Sequence, residues 1–359
     1  MVLTIMVVSA VLILLSALPF IQNQHWVFRV AEFMKLQLLL LQVIVFVIAF
    51  FYVEDSPALW YFQAAQAVLI GYHVYILMRY TKFWRKPKTE KTGNASDPIK
   101  LIACNVYQFN PDPSRFIDLI RKEQPDVLLT MESNSTWERA MRPLEKDYPN
   151  REKVTLENTY GMHLYTKLKV NQMHVHFFVA DDLPSIEAEL ETNGGHRFVF
   201  FGVHPPPPSP TEEDTSKERD GDLLCVAKKV RDYQLPVVVA GDFNNVAWAR
   251  SSMLFKKTSR LIDARIGRGI LATFHAKYWF FRVPLDLLFH SPTIFIDSLF
   301  TYPDIGSDHF PVGCTFHVGA LSSKQGEELK HLEPDEMQEV NELIQEGKEE
   351  QDNNRDAKH

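Results

Sequence analysis

The sequence predicts an α/β fold preceded by an N-terminal segment of transmembrane helices, and two changes of texture along the 359 residues carry that prediction. Before about residue 80 the chain is dominated by long runs with no charged side chain. From Ile99 it turns to short apolar runs that end in polar residues and are separated by amphipathic or turn-rich stretches, as in mixed α/β domains. Beyond Ala320 it becomes rich in Glu, Lys, Gln and Asn. The expected division is an anchor over 1–92, a globular domain over 93–320 and an acidic tail over 321–359.

The runs 1–21, 36–53 and 56–78 contain no charged residue, and each approaches the ~20 residues that a helix needs to cross a bilayer. A cleaved signal peptide is the alternative for the first, but it lacks a basic leading segment and two further apolar runs follow at once. Three membrane helices are therefore expected, the last two forming a hairpin joined by Glu54 and Asp55. Trp60, Tyr61, Tyr80 and Trp84 lie near the ends of the third, where an aromatic belt would sit. Arg79, Lys82, Arg85, Lys86, Lys88 and Lys91 form a basic juxtamembrane stretch, followed by a polar linker to Pro98.

In the globular part, strands are expected at 100–104, 126–131, 174–179, 197–203, 236–240, 285–289 and 312–316. A helix is expected from Ser114, with Phe116, Ile117, Leu119 and Ile120 at helical spacing and Pro125 closing it. A second helix is expected over 212–233. Asp181-Asp182 and Gly194-Gly195 read as hairpin turns, and the tail as a loose helix or disorder.

Charge and cysteine content exclude several functions. The net charge is −7 and the middle of the chain is mildly acidic, which argues against broad electrostatic grip on nucleic acid. Cys104, Cys225 and Cys314 stand in apolar runs with no paired-ligand spacing, so they read as core residues rather than a zinc site or disulfide framework. His174 and His176 share one face of a strand, but no third ligand of matching spacing accompanies them. There is no phosphate-binding Gly-rich loop and no G-x-S-x-G elbow.

The chemically informative pattern is what ends each expected strand: Asn105, Glu132, His204, then Asp242 and Asn244, with Asp286 and Asp308-His309 further on. An apolar strand ending in a carboxylate or amide delivers that group to the rim of a sheet, where clefts form. Each delivery alone is also what a turn or cap would leave. Together and in this order they form a convergent set. Hard oxygen donors without a Cys cluster favour magnesium or manganese over zinc, and such a set suits phosphate-ester hydrolysis.

The order and wording of these residues resemble the endonuclease/exonuclease/phosphatase superfamily over roughly 99–317. The most specific pieces are Gly241-Asp242-Phe243-Asn244 and Gly306-Ser307-Asp308-His309, supported by Asn105, Glu132 and Asp286. The run from His204 through Pro205–Pro208, and Asn245-Val246-Ala247-Trp248 after the Asp242 motif, resemble a membrane-anchored bacterial subgroup associated with glycopeptide resistance. The resemblance implies a four-layer sandwich of two mixed sheets flanked by helices. It implies Glu132 as principal ligand of Mg2+ or Mn2+, with Asn105 beside it on metal or phosphate and Asp308 on metal or in a supporting hydrogen bond. Asp242 would position or deprotonate the attacking water, Asn244 would donate to a phosphate oxygen, and His309, oriented by Asp286, would face the phosphate. His204 would face the phosphate or the leaving group.

Two departures weaken a DNA-repair reading: Tyr107 stands where abasic-site endonucleases commonly carry an acid, and Leu287 where His or Tyr is frequent. The expected activity is a membrane-anchored, divalent-metal-dependent phosphoesterase with a lipid-linked substrate; a membrane-tethered nuclease and a catalytically silent interaction domain are the alternatives. Arg29, Lys35 and the basic residues of 79–91 fall on one side of the expected spans and no Lys or Arg on the other. The positive-inside rule then favours a cytoplasmic catalytic domain at the cell membrane, while resemblance to the resistance-associated subgroup favours an extracytoplasmic one.

Overall fold

A computed structural model describes residues 1–52, 54, 56–84, 95–319, 323–326 and 329–350. The N-terminal part consists of helices α1 (Val2–Ala17), α2 (Trp26–Phe33), α3 (Lys35–Phe50) and α4 (Leu59–Met78). Then come β1 (Ile99–Asn105), α5 (Ser114–Glu123), β2 (Val127–Met131), α6 (Ser135–Met141), β3 (Asn150–Val154), β4 (Met162–Thr166), β5 (Lys169–Phe177), β6 (Pro184–Glu191) and β7 (Arg197–Val203). The chain continues with α7 (Lys217–Arg231), β8 (Val237–Asp242), α8 (Arg250–Ser259), β9 (Ile262–Asp263), β10 (Asp286–His290), β11 (Ile294–Thr301), β12 (Val312–Val318), α9 (Ser323–Gly326) and α10 (Pro334–Glu349).

The strands form two six-stranded sheets, ordered β11-β12-β1-β2-β4-β3 and β5-β6-β7-β8-β10-β9. Pairing is parallel only at β1/β2 and β7/β8, so both sheets are mixed. Leu101, Ala103, Leu129 and Met131 of one sheet meet Phe198, Phe200, Val238, Ala240 and Leu288 of the other in a common core. The outer face of the first sheet is covered by Phe116 and Ile120 of α5 and Trp137 and Met141 of α6. That of the second is covered by Leu223, Val226 and Val230 of α7 and Phe255 of α8. This is the expected four-layer sandwich.

The N-terminal helices bundle with an inverted pattern. Apolar Leu3, Leu14, Leu40, Ile44, Val47 and Val68 face outward, while Ser9, Ser16, Gln42, Gln63, Gln66 and His73 are buried. Inside, the Gln42 amide donates to Ser16 Oγ (2.9 Å) and the Gln63 amide to the Phe46 carbonyl (3.0 Å). Among the described residues one helix, Val2–Phe20, is long and apolar enough to cross a membrane, or two if Trp26–Phe33 and Lys35–Phe50, bent by 71°, count as one span. The expected three spans are not met by that measure. Helix α3 alone has 16 residues, roughly 24 Å against a hydrocarbon core of ~30 Å, and the polar Gln63, Gln66 and His73 dilute α4. Asp55 of the expected hairpin turn, Arg85, Lys86, Lys88, Lys91 and the linker 92–94 lie outside the described residues.

The N-terminal segment packs on the sandwich: α2 lies against it, with Trp248 Nε1 donating to the Glu32 carbonyl (2.8 Å) and Trp26 N to the Asp214 carbonyl (2.9 Å). The tail is not loose over 334–349, because Val340 and Ile344 bury against Leu224 and Leu254 and Arg250 pairs with Glu336 and Glu339. Residues 351–359 lie outside the described part. The strand expected at 174–179 is an edge strand that begins at Lys169 and ends at Phe177.

Gly241 is the tightest point of the scaffold near the polar strand ends. Its φ is +150° and a Cβ there would stand 2.0 Å from the Val203 carbonyl oxygen. Since the clash is with backbone in a central parallel pair, it can be relieved only by separating β7 from β8. Gly241→Ala should therefore lower unfolding free energy by on the order of 3 kcal/mol or more, read as a large drop in thermal midpoint.

Candidate active site

Register explains why the polar residues meet. In the first sheet Asn105 is the pairing partner of Met131, which puts Glu132, the next residue, beside it. In the second sheet Val203 pairs with Gly241 and Asp286 with Asp242, so His204, Asp242 and Asp286 are lateral neighbours at one end of three adjacent strands. The loop before β12 brings Asp308 and His309 to the same end. All eight expected residues line or underlie one cleft of about 680 Å3, Asp286 from beneath His309.

Local backbone fixes several of these groups. Glu132 has φ +59° and Asn244 φ +47°, left-handed conformations that end each strand abruptly and cost of order a kcal/mol each. At Glu132 the bend is held by Ser133 N donating to the Gly161 carbonyl (2.8 Å), and a Cβ at Gly161 would lie 2.2 Å from the Ser133 carbonyl. At Asn244 the backbone carbonyl accepts from Arg219 Nη1 (3.0 Å), the backbone amide donates to Asp242 Oδ1 (2.9 Å), and the side-chain amide donates to the Pro205 carbonyl (2.9 Å). That side chain keeps one N–H for a ligand.

On the first sheet's side, Asn105 Nδ2 donates to both Glu132 Oε1 (2.8 Å) and Asp242 Oδ2 (3.2 Å), bridging two carboxylates. Its amide oxygen accepts from Tyr107 N (3.0 Å). Asn105 thus presents nitrogen, not oxygen, to Glu132, and would have to turn its amide over to ligate a cation there. Glu132 Oε2 accepts from Gln108 N (2.9 Å), and each Glu132 oxygen keeps a second lone pair. Burial and the neighbouring Asp308 carboxylate push the Glu132 carboxyl up to about 8. A buried carboxylate repelled by another is what a bound divalent cation relieves. Glu132 and Asp308, hard oxygen donors in the cleft, therefore fit Mg2+ or Mn2+.

On the second sheet's side, His309 Nδ1 lies 2.8 Å from Asp286 Oδ2 and its Nε2 3.5 Å from Asp242 Oδ2. Burial alone would lower the ring's pKa, but Asp286 and Asp242 outweigh it and carry His309 up to about 10. His204 is equally buried and its Nε2 is 3.8 Å from the same Asp242 oxygen, yet burial prevails and brings it down to about 4. Burial likewise raises Asp242, against the pull of His309. Asp242, Asp286 and His309 have donor atoms within 4.8 Å of one another, but an imidazolium has no lone pair for a metal. The trio is a carboxylate–imidazole–carboxylate cluster, and Glu132 and Asp308 are the hard oxygen donors left to a cation on the other side of the cleft.

Sequence reasoning missed the supports. Gln108 feeds Glu132 through its backbone and ties Glu157 and Thr159 through its side chain, and nothing but its place two residues past Val106 marks it. Arg219, buried in α7 beside Asp220, holds Asn244 from behind, and nothing in the sequence sets it apart from the other basic residues of that helix. Tyr160 donates to Glu212 Oε2 (2.6 Å) on the far wall. Val30, Phe33 and Met34 of the N-terminal segment also line the cleft. His174 and His176 are remote from it, the latter bonded to Glu187 (2.6 Å) on the sheet's edge.

A family model described as the endonuclease/exonuclease/phosphatase family matches residues 102–309. No curated protein matches the sequence. Solved structures with the same fold include D. rerio TDP2 humanized by 14 mutations (TM-score 0.52, 16% identity, 62% of this chain and 99% of that one). An endonuclease/exonuclease/phosphatase from Beutenbergia cavernae superposes with TM-score 0.53 at 16% identity, over 63% of this chain and 72% of that one. The human Nocturnin catalytic domain with bound sulfate does so with TM-score 0.50 at 17% identity, over 62% and 96%.

Because Asp286 acts through the His309 ring, the two should behave as one unit. His309→Ala and Asp286→Ala are each expected to lower turnover by roughly 10²-fold or more, and the double variant to be little worse than His309→Ala. Strict additivity in steady-state kinetics would dissolve the unit. His174→Ala and His176→Ala should be close to wild type.

Proposed function

The chain belongs to the endonuclease/exonuclease/phosphatase family, whose members are phosphatases or nucleases acting on phosphate esters, and from that premise we propose a divalent-metal-dependent phosphoesterase, anchored in a membrane, whose substrate is a lipid-linked phosphate ester or pyrophosphate. The single observation that carries the chemistry is the gathering in one cleft of the carboxylates Glu132, Asp242 and Asp308 with His309, whose Nδ1 lies 2.8 Å from Asp286 Oδ2.

The residues divide the work as follows. Mg2+ or Mn2+ held by Glu132 and Asp308 would supply charge neutralisation on the phosphoryl oxygens. His309, fixed as a cation by Asp286, binds a second face of the phosphate, and Asn244 offers its remaining N–H. Asp242, raised by burial, accepts a proton from the attacking water. His204, neutral, stands beside Asp242 to donate or accept a hydrogen bond at the leaving oxygen. Asn105 keeps Glu132 and Asp242 apart by donating to both.

The cleft's remaining walls support an apolar substrate. Val30, Phe33, Met34, Phe109, Phe281 and Leu285 line it, and no Lys or Arg is among the described residues that do. A nucleic-acid groove requires cations along the backbone track, so the nuclease reading loses ground. The bundle of α1, α3 and α4, apolar outside and polar within, is consistent with helices embedded in lipid. The Lys and Arg bias favours a cytoplasmic catalytic domain.

Two measurements test the reading. Chelation of the purified full chain and Glu132→Gln should each reduce activity by several orders of magnitude on a panel of polyprenyl phosphates, phospholipid phosphates and plasmid DNA, with no change in circular dichroism; activity that survives both removes the metal. Fusion of alkaline phosphatase or green fluorescent protein after Lys330 should give a dark phosphatase and a bright fluorophore, and the reverse pattern moves the domain outside the cell.

A further inference from the structure

Between β9 and β10 the chain reads Lys277-Tyr278-Trp279-Phe280-Phe281-Arg282. The four rings form the tip of a loop around a 3-10 turn, Trp279–Phe281, and two of them are the extreme case: Trp279 is 78% and Phe280 61% exposed. Aromatic side chains each hold 150–250 Å2 that burial would remove from water, and contiguous apolar surface of that size marks an interaction site. The loop is also fixed in place. Gln37 Nε2, on the first turn of α3, donates to the carbonyl of Arg282 (3.2 Å) and to that of Phe280 (3.4 Å). Phe281 lines the cleft together with Val30, Phe33 and Met34.

What covers the rings follows from what adjoins them. One turn beyond Gln37, α3 exposes Leu40 and Leu41, and the helix continues outward with Ile44, Val47 and Ile48. Helix α2 meets α3 at a bend of 71°, so if α3 enters the bilayer, α2 runs nearly along its surface, as an interfacial helix does. Trp and Tyr concentrate at that depth, and cations beside them favour anionic headgroups. Lys277 and Arg282 bracket the rings, leaning over Tyr107 (6.0 Å) and Phe310 (4.9 Å) at the cleft's rim.

We propose that the loop 277–282 inserts its aromatic tip into the interfacial layer of the bilayer and, with α2, seats the mouth of the catalytic cleft on the membrane, so that an amphiphilic substrate enters laterally between Phe281 and α2. The proposal rests on the reading of α1 and α3 as membrane-embedded. It makes the bilayer a wall of the entrance, and confines the phosphate to the headgroup plane while its chain stays in lipid.

The test is depth-dependent quenching in the full chain, reconstituted in nanodiscs of 3:1 phosphatidylcholine and phosphatidylglycerol, with or without phosphatidylcholine brominated high in its acyl chain. The emission lost on Trp279→Phe isolates Trp279, and that lost on Trp60→Phe isolates Trp60, exposed on α4. We expect brominated lipid to reduce the Trp279 share at least twofold, and the Trp60 share as well. Quenching of Trp60 with Trp279 unaffected overturns the loop's insertion and leaves the rings to another occupant, while the membrane reading stands. Absence of quenching at both overturns the two together.

Discussion

Everything at the catalytic end of this sandwich depends on one buried triangle of charge. Asp242 and Asp286 face each other across the β8/β10 ladder, and two like charges there would be intolerable without compensation. His309 lies between them and bonds to Asp286. Its loop is in turn locked to the other sheet, because Ser307 Oγ donates to the Asn105 carbonyl (2.8 Å) and accepts from His309 N (3.0 Å). The electrostatic demand of one sheet is thus met by a loop pinned to the other, which couples the site to the packing of the sandwich.

The ends of the strands were legible because they break a local rule. Ile99–Asn105 and Val127–Met131 are apolar apart from Lys100 and Thr130 until the strand end, so Asn105 and Glu132 at or just past the ends stand out, and the site is read from those violations. Strands such as Asn150–Val154 and Pro184–Glu191 escaped for the opposite reason. The first is a polar edge strand, and in the second the period-two alternation of Ile186, Ala188 and Leu190 with Glu187, Glu189 and Glu191 is short and diluted by its acids. Helix α10 escaped because its apolar stripe, Val340 and Ile344, is narrow and its ordering comes from Arg250 and Lys257 far away in sequence. Arg219 and Gln108 could not be assigned since their role lies in backbone contacts, which composition does not encode.

The N-terminal helices do more than their charge-free runs announce. In three dimensions α2 contributes Val30, Phe33 and Met34 to the cleft, and Glu32 uses its backbone carbonyl to hold Trp248, four residues past Asn244. The N-terminal helices and the cleft rim are therefore one packed unit. Removing the first ninety residues would expose Trp248, Val246 and Leu285, which pack against Leu77 and Phe33, as well as open a wall of the site.

The two cleft histidines show how one carboxylate serves opposite ends. Both are buried and both lie within 4 Å of Asp242 Oδ2, so proximity to Asp242 cannot distinguish them. The difference is the second partner. His309 has Asp286 on its other nitrogen, while the other nitrogen of His204, Nδ1, is buried without one. The carboxylates around His309 overcome desolvation and raise it to about 10, while the one beside His204 does not and burial brings that ring down to about 4. On the proposed phosphoesterase reading both would be used: a positive charge against the anionic oxygens of a phosphate ester, and a group beside its leaving oxygen that can exchange a hydrogen bond without adding charge. The asymmetry arises chiefly from Asp286, placed by register opposite Asp242, with Asp308 adding to it at His309 and the His309 ring itself lowering His204.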